Sequence, residues 1–194
     1  RVSLIRTFGT HSYRTSVETR RKARAEIERY FSYDVVLYGA TRRKGIIWPD
    51  DRVLVPGAFG VAGININPMY NLNACFRAGI SLDAQYDESA NIKDHVVGDD
   101  RSAENIRFYR PPFREQFGVG LSLRAELVMP IFSINLGVGH NVFYQGEDLK
   151  GFYQIAALKT SITRRLFLHV GYQLRNFKDP NNLMLGLGYR FNGR

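Results

Sequence analysis

The sequence predicts an all-β protein: an eight-stranded antiparallel transmembrane β-barrel preceded by a short, basic N-terminal periplasmic extension. Three observations predict it. Apolar residues recur on every second position from Phe31 to Phe191, the runs are long, and the connections between runs alternate between short and long. Leu72, Ala74, Phe76, Ala78, Ile80, Leu82, Ala84 and Tyr86 hold the even positions of one such run, while Asn71, Asn73, Arg77, Ser81, Asp83 and Gln85 lie between them. A period of two is that of a strand, whose successive side chains point to opposite faces. Runs of this length exceed the usual five or six residues of a soluble strand and match the roughly nine to eleven tilted residues that cross a bilayer.

The strands follow in order. The first is expected near Phe31–Gly39, with Phe31, Tyr33, Val35 and Leu37 on one side, and the second over Gly57–Asn67. Leu72–Tyr86 forms the third, Phe113–Leu127 the fourth, Phe132–Val142 the fifth and Gly151–Ser161 a more weakly patterned sixth. Leu166–Leu174 and Leu183–Phe191 complete the set. Tight turns are expected around Asn67-Pro68, Met129-Pro130 and Arg164-Arg165, and longer connections over 40–56, 87–112, 144–150 and 177–182. That asymmetry predicts a bacterial outer-membrane barrel with its long loops outside and both termini in the periplasm. The competing soluble barrel of lipocalin type would reverse the faces. Its disfavouring feature here is a polar side that mixes small residues with Arg and Glu, as suits a narrow, filled bore.

Composition agrees with this reading. The chain has 194 residues, 44% of them hydrophobic, with thirteen Phe and eleven Tyr against one Trp. Mean hydropathy is -0.26, because barrel strands hide their apolar content in alternation. A formal charge of +9 raises the question of nucleic acid, yet Lys and Arg recur singly and no nucleic-acid signature accompanies them; phosphate of anionic lipid or lipopolysaccharide is the expected counter-charge. The lone Cys75 excludes an internal disulfide and reads as a small filler on the polar side of the third strand. Neither a cofactor motif nor a metal-ligand spacing is present. Residues 1–29 fall outside the barrel, and Ser16–Arg29 is expected to form a short exposed helix, either a solvated leader or a docking segment. Residues 1–10 lack the apolar core of a secretory signal, so an exported protein is expected here in its mature form.

The last forty residues read YQIAALKTSITRRLFLHVGYQL, then a loop, then LMLGLGYRF. In this order of elements the chain resembles the outer-membrane lipid A 3-O-deacylases and the wider set of acyloxyacyl-hydrolase-like barrels. The resemblance implies a His-x-Ser-Asn motif at the end of the seventh strand, in which Ser attacks a lipid A ester and His takes its proton. The corresponding residues here are Gln173, Leu174, Arg175 and Asn176. Gln cannot shuttle a proton near neutral pH and Arg cannot be a nucleophile, so a pseudoenzyme is expected. His169 is the one weak candidate for a base, with Ser122 or Ser161 as conceivable nucleophiles, but it lies toward the periplasmic end and is expected in a lumen network. Arg77, Asp83, Arg114, Glu115, Arg124 and Glu126 share the lumen side of the third and fourth strands and are expected to form a charged plug. His140 reads as an interfacial girdle residue.

The functional expectation is a non-catalytic structural or partner-binding subunit of an outer-membrane assembly, with an outer-membrane or periplasmic protein partner. An active deacylase with a rearranged site and a small adhesin are the alternatives.

Overall fold

The protein is described from a computed structural model covering residues 29–47, 52–97, 107–177 and 179–192. Eight long strands close into one antiparallel barrel: β1 (Tyr30–Arg42), β4 (Phe59–Asn71), β5 (Phe76–Asp87), β8 (Phe117–Val128), β9 (Phe132–Phe143), β10 (Phe152–Ser161), β11 (Leu166–Arg175) and β12 (Asp179–Phe191). Each pairs with its neighbour in sequence, and β1 closes the wall against β12 with Val36 opposite Gly188 and Tyr38 opposite Gly186. The remaining elements lie in the long connections: the hairpin of β2 (Gly45–Ile47) and β3 (Arg52–Leu54), the two-residue pair β6 (Val96–Val97) and β7 (Arg107–Phe108), and the single-turn helix α1 (Phe113–Gln116).

Alternation in sequence becomes two faces. In β1, Ser32, Asp34, Val36 and Tyr38 are buried, whereas Phe31, Tyr33 and Leu37 stand exposed on the outside. The same division runs through β8, where Ser122, Arg124 and Glu126 point in and Leu121, Leu123 and Leu127 point out. An inside that holds the charges and an outside that holds Leu, Val, Ile and Phe is the reverse of a protein that dissolves in water. It is the arrangement that hydrocarbon demands, and closure leaves no strand edge unpaired. No helix among the described residues is long and apolar enough to cross a membrane. Twelve-residue β9, at about 3.3 Å per residue and a tilt near 40°, rises about 28 Å, close to the height of an outer-membrane barrel's apolar band.

Aromatic rings mark both rims of that band. At the short-turn end Phe31 meets Tyr70 with ring centroids 4.9 Å apart, and Tyr189 meets Phe191 at 4.7 Å. At the long-loop end exposed His140 packs edge-on against Phe152 at 5.0 Å.

Several expected boundaries move. The first short turn is 72–75, not Asn67-Pro68, because Asn73 caps it: its side-chain oxygen accepts the Cys75 N–H at 2.9 Å, while the N–H groups of Leu72 and Asn73 both reach the Phe76 carbonyl. Pro68 lies inside β4, opposite Tyr33, where the ladder to β5 omits both Asn67 and Pro68, as suits a residue with no N–H to donate. Cys75 is consequently exposed in a turn and fills no interior space. The fourth strand begins at Phe117, since Pro111 and Pro112 are followed by helix α1. The last long-loop connection shrinks to 176–178, made by a bulge between Gln173 and Leu174 and by left-handed Asn176 (φ 47) and Phe177 (φ 60). The proposed helix over Ser16–Arg29 lies outside the described residues except for Arg29.

Candidate functional site

The barrel interior is filled by a polar network whose charged groups come from five strands. Asp34 of β1 accepts from Arg77 (2.7 Å), Lys159 (3.1 Å) and both Nε and Nη2 of Arg190 (2.8 and 3.2 Å). Glu126 of β8 accepts from Lys159 at 2.7 Å, Ser133 at 2.9 Å and Asn135 at 3.2 Å, with Arg77 and Arg190 at 3.5 Å. A second group surrounds Asp83 of β5, which accepts from Arg124 (2.8 Å), Ser122 (2.7 Å), Tyr153 (2.6 Å), Asn65 (2.5 Å) and Ser81. Asn135 joins the two groups by accepting from Arg124 at 3.3 Å while donating to Glu126. Strand alternation explains the arrangement: each of these residues sits at an inward parity, and a low-dielectric interior tolerates a charge only when it is paired and hydrogen-bonded. Phe167 lines the same space, with Lys159 Nζ 5.2 Å and the Arg190 guanidinium 5.5 Å from its ring centroid.

The structure thus joins Arg77, Asp83, Arg124 and Glu126 in the lumen, and adds Asp34, Lys159 and Arg190. Those three were identifiable as inward-parity charges, but they belong to the first, sixth and closing strands, which meet only when the wall closes. Arg114 and Glu115 are a correction. They stand in α1 at the long-loop end, because the helical turn after Pro112 breaks the parity that would have turned them inward. Glu115 instead bonds His95 at 2.7 Å, and Arg114 is exposed.

Gln173, Arg175 and Asn176 occupy the long-loop end of β11. Gln173 is buried and lines a cavity of about 20 Å³ together with Gln85, Gly118, Asn141 and Tyr153. That volume suits one water molecule. Arg175 borders the same cavity, donating to the Glu147 carbonyl and lying 3.6 Å from Asp148. Deeper in the bore, His169 is buried with neither ring nitrogen hydrogen-bonded among the described residues. Ser122 Oγ is committed to Asp83 and to the Arg124 Nε–H, and exposed Ser161 ends β10 at the short-turn end. Among the described residues no serine and histidine share a hydrogen bond, and no three His, Cys, Asp or Glu side chains cluster as metal ligands would.

Above the rim, the long connections fasten to one another. Asp148 accepts from Lys44 and from the Asn91 backbone N–H (2.9 Å), and Asn91 Oδ1 accepts the Asp148 N–H at 3.0 Å. Asn91 Nδ2 donates to the carbonyls of Glu115 (2.7 Å) and Gln145 (2.9 Å). Burial would raise the Asp148 carboxyl's pKa, but the Lys44 charge and hydrogen bond, the Asn91 N–H and Arg175 outweigh it and hold the group below the usual carboxylate range. Buried Ile46, Val55 and Ile92, with Val53, Phe59, Val96 and Phe108 against them, give this cap a small apolar core of its own. In the sequence these segments read as loops. The cap could have been sensed only from the short apolar runs around Ile46, Val53 and Val96.

A closed eight-strand wall, apolar outside and ionic within, defines a membrane-spanning β-barrel of the bacterial outer-membrane class. The family described as acyloxyacyl hydrolase, C-terminal domain, matches residues 31–193, and the chain belongs to it. By structure the chain is similar to Ail, the attachment invasion locus protein of Yersinia pestis, in a crystal complex with the heparin analogue sucrose octasulfate; identity is 16%, TM-score 0.45, and the match covers 83% of this chain and 98% of that one. It is similar also to the outer membrane protein Ail of the same organism in a phospholipid bilayer nanodisc, at 19% identity and TM-score 0.43, covering 83% and 99%. No curated protein matches by sequence.

Proposed function

We propose that this chain is a non-catalytic member of its family, a partner-binding subunit of an outer-membrane assembly that presents a preformed cap on its long-loop end. In this reading the cap faces the exterior and both chain ends face the periplasm. The observation that carries it is the contrast at the rim. The positions that the family resemblance assigns to base and nucleophile hold a buried Gln173 and an Arg175 tied to the Glu147 carbonyl, while the surrounding loops are fastened through Asn91 and Asp148. Ordering loops costs entropy, and here that order serves no reacting group. A fixed shape is what a protein partner needs, since preorganisation lowers the cost of binding.

Purification of the tagged chain from native membranes in mild detergent is the test. A stoichiometric companion that is lost when 145–150 is replaced by a Gly/Ser linker supports the reading, and a barrel that migrates alone contradicts it. Release of a hydroxy fatty acid from purified lipid A would establish the active-enzyme alternative instead. Orientation is tested by the chain's own Cys75, exposed in a short turn: a membrane-impermeant maleimide should leave it unlabelled on intact cells and label Arg43→Cys in a Cys75→Ser background.

A further inference from the structure

The lipid-facing wall carries one feature that the barrel does not require. At the long-loop end of β5 and β8, Tyr86 and Phe117 are cross-strand partners on the outward face. Helix α1 lays Phe113 over them, with ring centroids 5.4 Å from Tyr86 and 5.7 Å from Phe117 and interplanar angles of 21° and 14°. Phe113 is nonetheless 63% exposed. The three rings form a near-parallel stack that extends the apolar belt upward at the level where hydrocarbon gives way to headgroups.

Two guanidinium groups stand beside the stack. Arg110 donates to the Tyr86 hydroxyl at 2.9 Å and to Glu88 at 2.7 Å, with its side chain 68% exposed. Arg114 directly follows Phe113 in the chain and is exposed, with no ion pair among the described residues. Elsewhere on the cap, Arg42 pairs with Asp87 and Lys44 with Asp148. Against one carboxylate, Glu88, the ridge therefore presents two cations. Planar guanidinium forks suit phosphate oxygens, and aromatic rings suit the boundary between acyl chains and headgroups.

We propose that Tyr86, Phe113 and Phe117, flanked by Arg110 and Arg114, form a docking surface for the phosphate-bearing headgroup of outer-leaflet lipopolysaccharide. The inference rests on the orientation proposed above, with the cap outside. It is separate from the Gln173 position, which lies on the lumen side of β11. The occupant follows from charge complementarity and from continuity with the lipid-facing belt: a headgroup anchored by its own acyl chains arrives at this ridge from the side, with phosphate at the height of the two arginines.

The full chain in phosphatidylcholine nanodiscs doped with diphosphoryl lipid A provides the test, read by native mass spectrometry of lipid retained per barrel. We expect one retained molecule, about tenfold weaker retention in the Arg110→Gln/Arg114→Gln double variant, a smaller loss in Phe113→Ala, and no change in Arg43→Gln. Retention should weaken as salt rises. Equal retention of dephosphorylated lipid A, equal retention of phosphatidylglycerol, or an unaffected double variant would each overturn the proposal. All substituted side chains are exposed, and unchanged heat-modified gel mobility confirms folding in each case. Failure to retain lipid A with Arg43→Cys labelled on intact cells overturns the docking surface alone; Cys75 labelled in place of Arg43→Cys overturns the orientation and the surface together.

Discussion

Glu126→Gln removes one negative charge from the middle of the barrel while keeping the shape of the side chain. In the native protein Glu126 is fully buried and serves Lys159 at 2.7 Å, Ser133 at 2.9 Å, Asn135 at 3.2 Å, and Arg77 and Arg190 at 3.5 Å. With Asp34, it balances the three cations Arg77, Lys159 and Arg190 to a net single positive charge. The substitution leaves Asp34 alone against all three, and turns an amide N–H₂ toward donors that cannot accept from it. Breaking a buried pair from one side costs about 3–5 kcal/mol, because the partner left behind remains buried and charged. Urea unfolding in detergent micelles, followed by the gel-mobility shift between folded and unfolded barrel, measures the loss. The paired change Glu126→Leu with Lys159→Met keeps the net charge of the group and should recover at least half of it, since apolar replacement of a whole ion pair is often neutral. A Glu126→Gln protein within about 0.5 kcal/mol of native would refute the view that this network holds the bore.

Other outcomes follow from the same coordinates. Gly186→Ala should sharply lower the folded fraction, because its Cβ would lie 2.0 Å from the Leu37 carbonyl oxygen and 2.7 Å from Tyr38 Cα, both backbone across the closing seam; Gly137→Ala, which meets the movable Arg124 side chain, should still fold. Heat-modified gel mobility distinguishes the two. The cap should depend on pH through Asp148. Its carboxyl is held below the ordinary range, so its stabilisation is complete above about pH 4 and is lost as pH falls further through the folded-state value. Amide exchange over 145–150, corrected for intrinsic rates, should stay slow at pH 5 and quicken in stronger acid, whereas Asp148→Asn should exchange fast throughout. The native protein should release no hydroxy fatty acid from lipid A, and release abolished by His169→Ala would contradict the reading of the rim.

Much of the wall was legible in the primary structure because lipid enforces a period of two. Where Leu121, Leu123 and Leu127 alternate with Ser122, Arg124 and Glu126, both the strand and the direction of each side chain follow from one rule. Legibility failed where local chemistry broke that rule. Asn73 caps a turn inside what reads as continuous alternation, so Leu72 and Ala74 leave the strand and Cys75 becomes exposed. Pro112 starts a helical turn that takes Arg114 and Glu115 out of register with Arg124 and Glu126. The lumen network was half visible for a different reason. Asp34 and Arg190 are 156 residues apart and meet only through the β1–β12 seam, so inward parity reveals that each needs a partner without revealing which. The cap was least legible, since the Asn91 and Asp148 side chains bond to backbone groups, which leave no mark in residue type.

The exposed Leu and Phe face hydrocarbon, and the charged face is sealed inside. Cysteine introduced at Leu123, which is 70% exposed near the middle of β8, and at Ser122 beside it, both in a Cys75→Ser background, tests it directly through an attached fluorophore in reconstituted bilayers. The probe at Leu123→Cys should be quenched by acyl-chain nitroxide lipid and spared by aqueous iodide, and Ser122→Cys in the folded barrel should resist labelling from either side. Iodide quenching at Leu123→Cys, with the lipid nitroxide without effect, would contradict this placement of the faces.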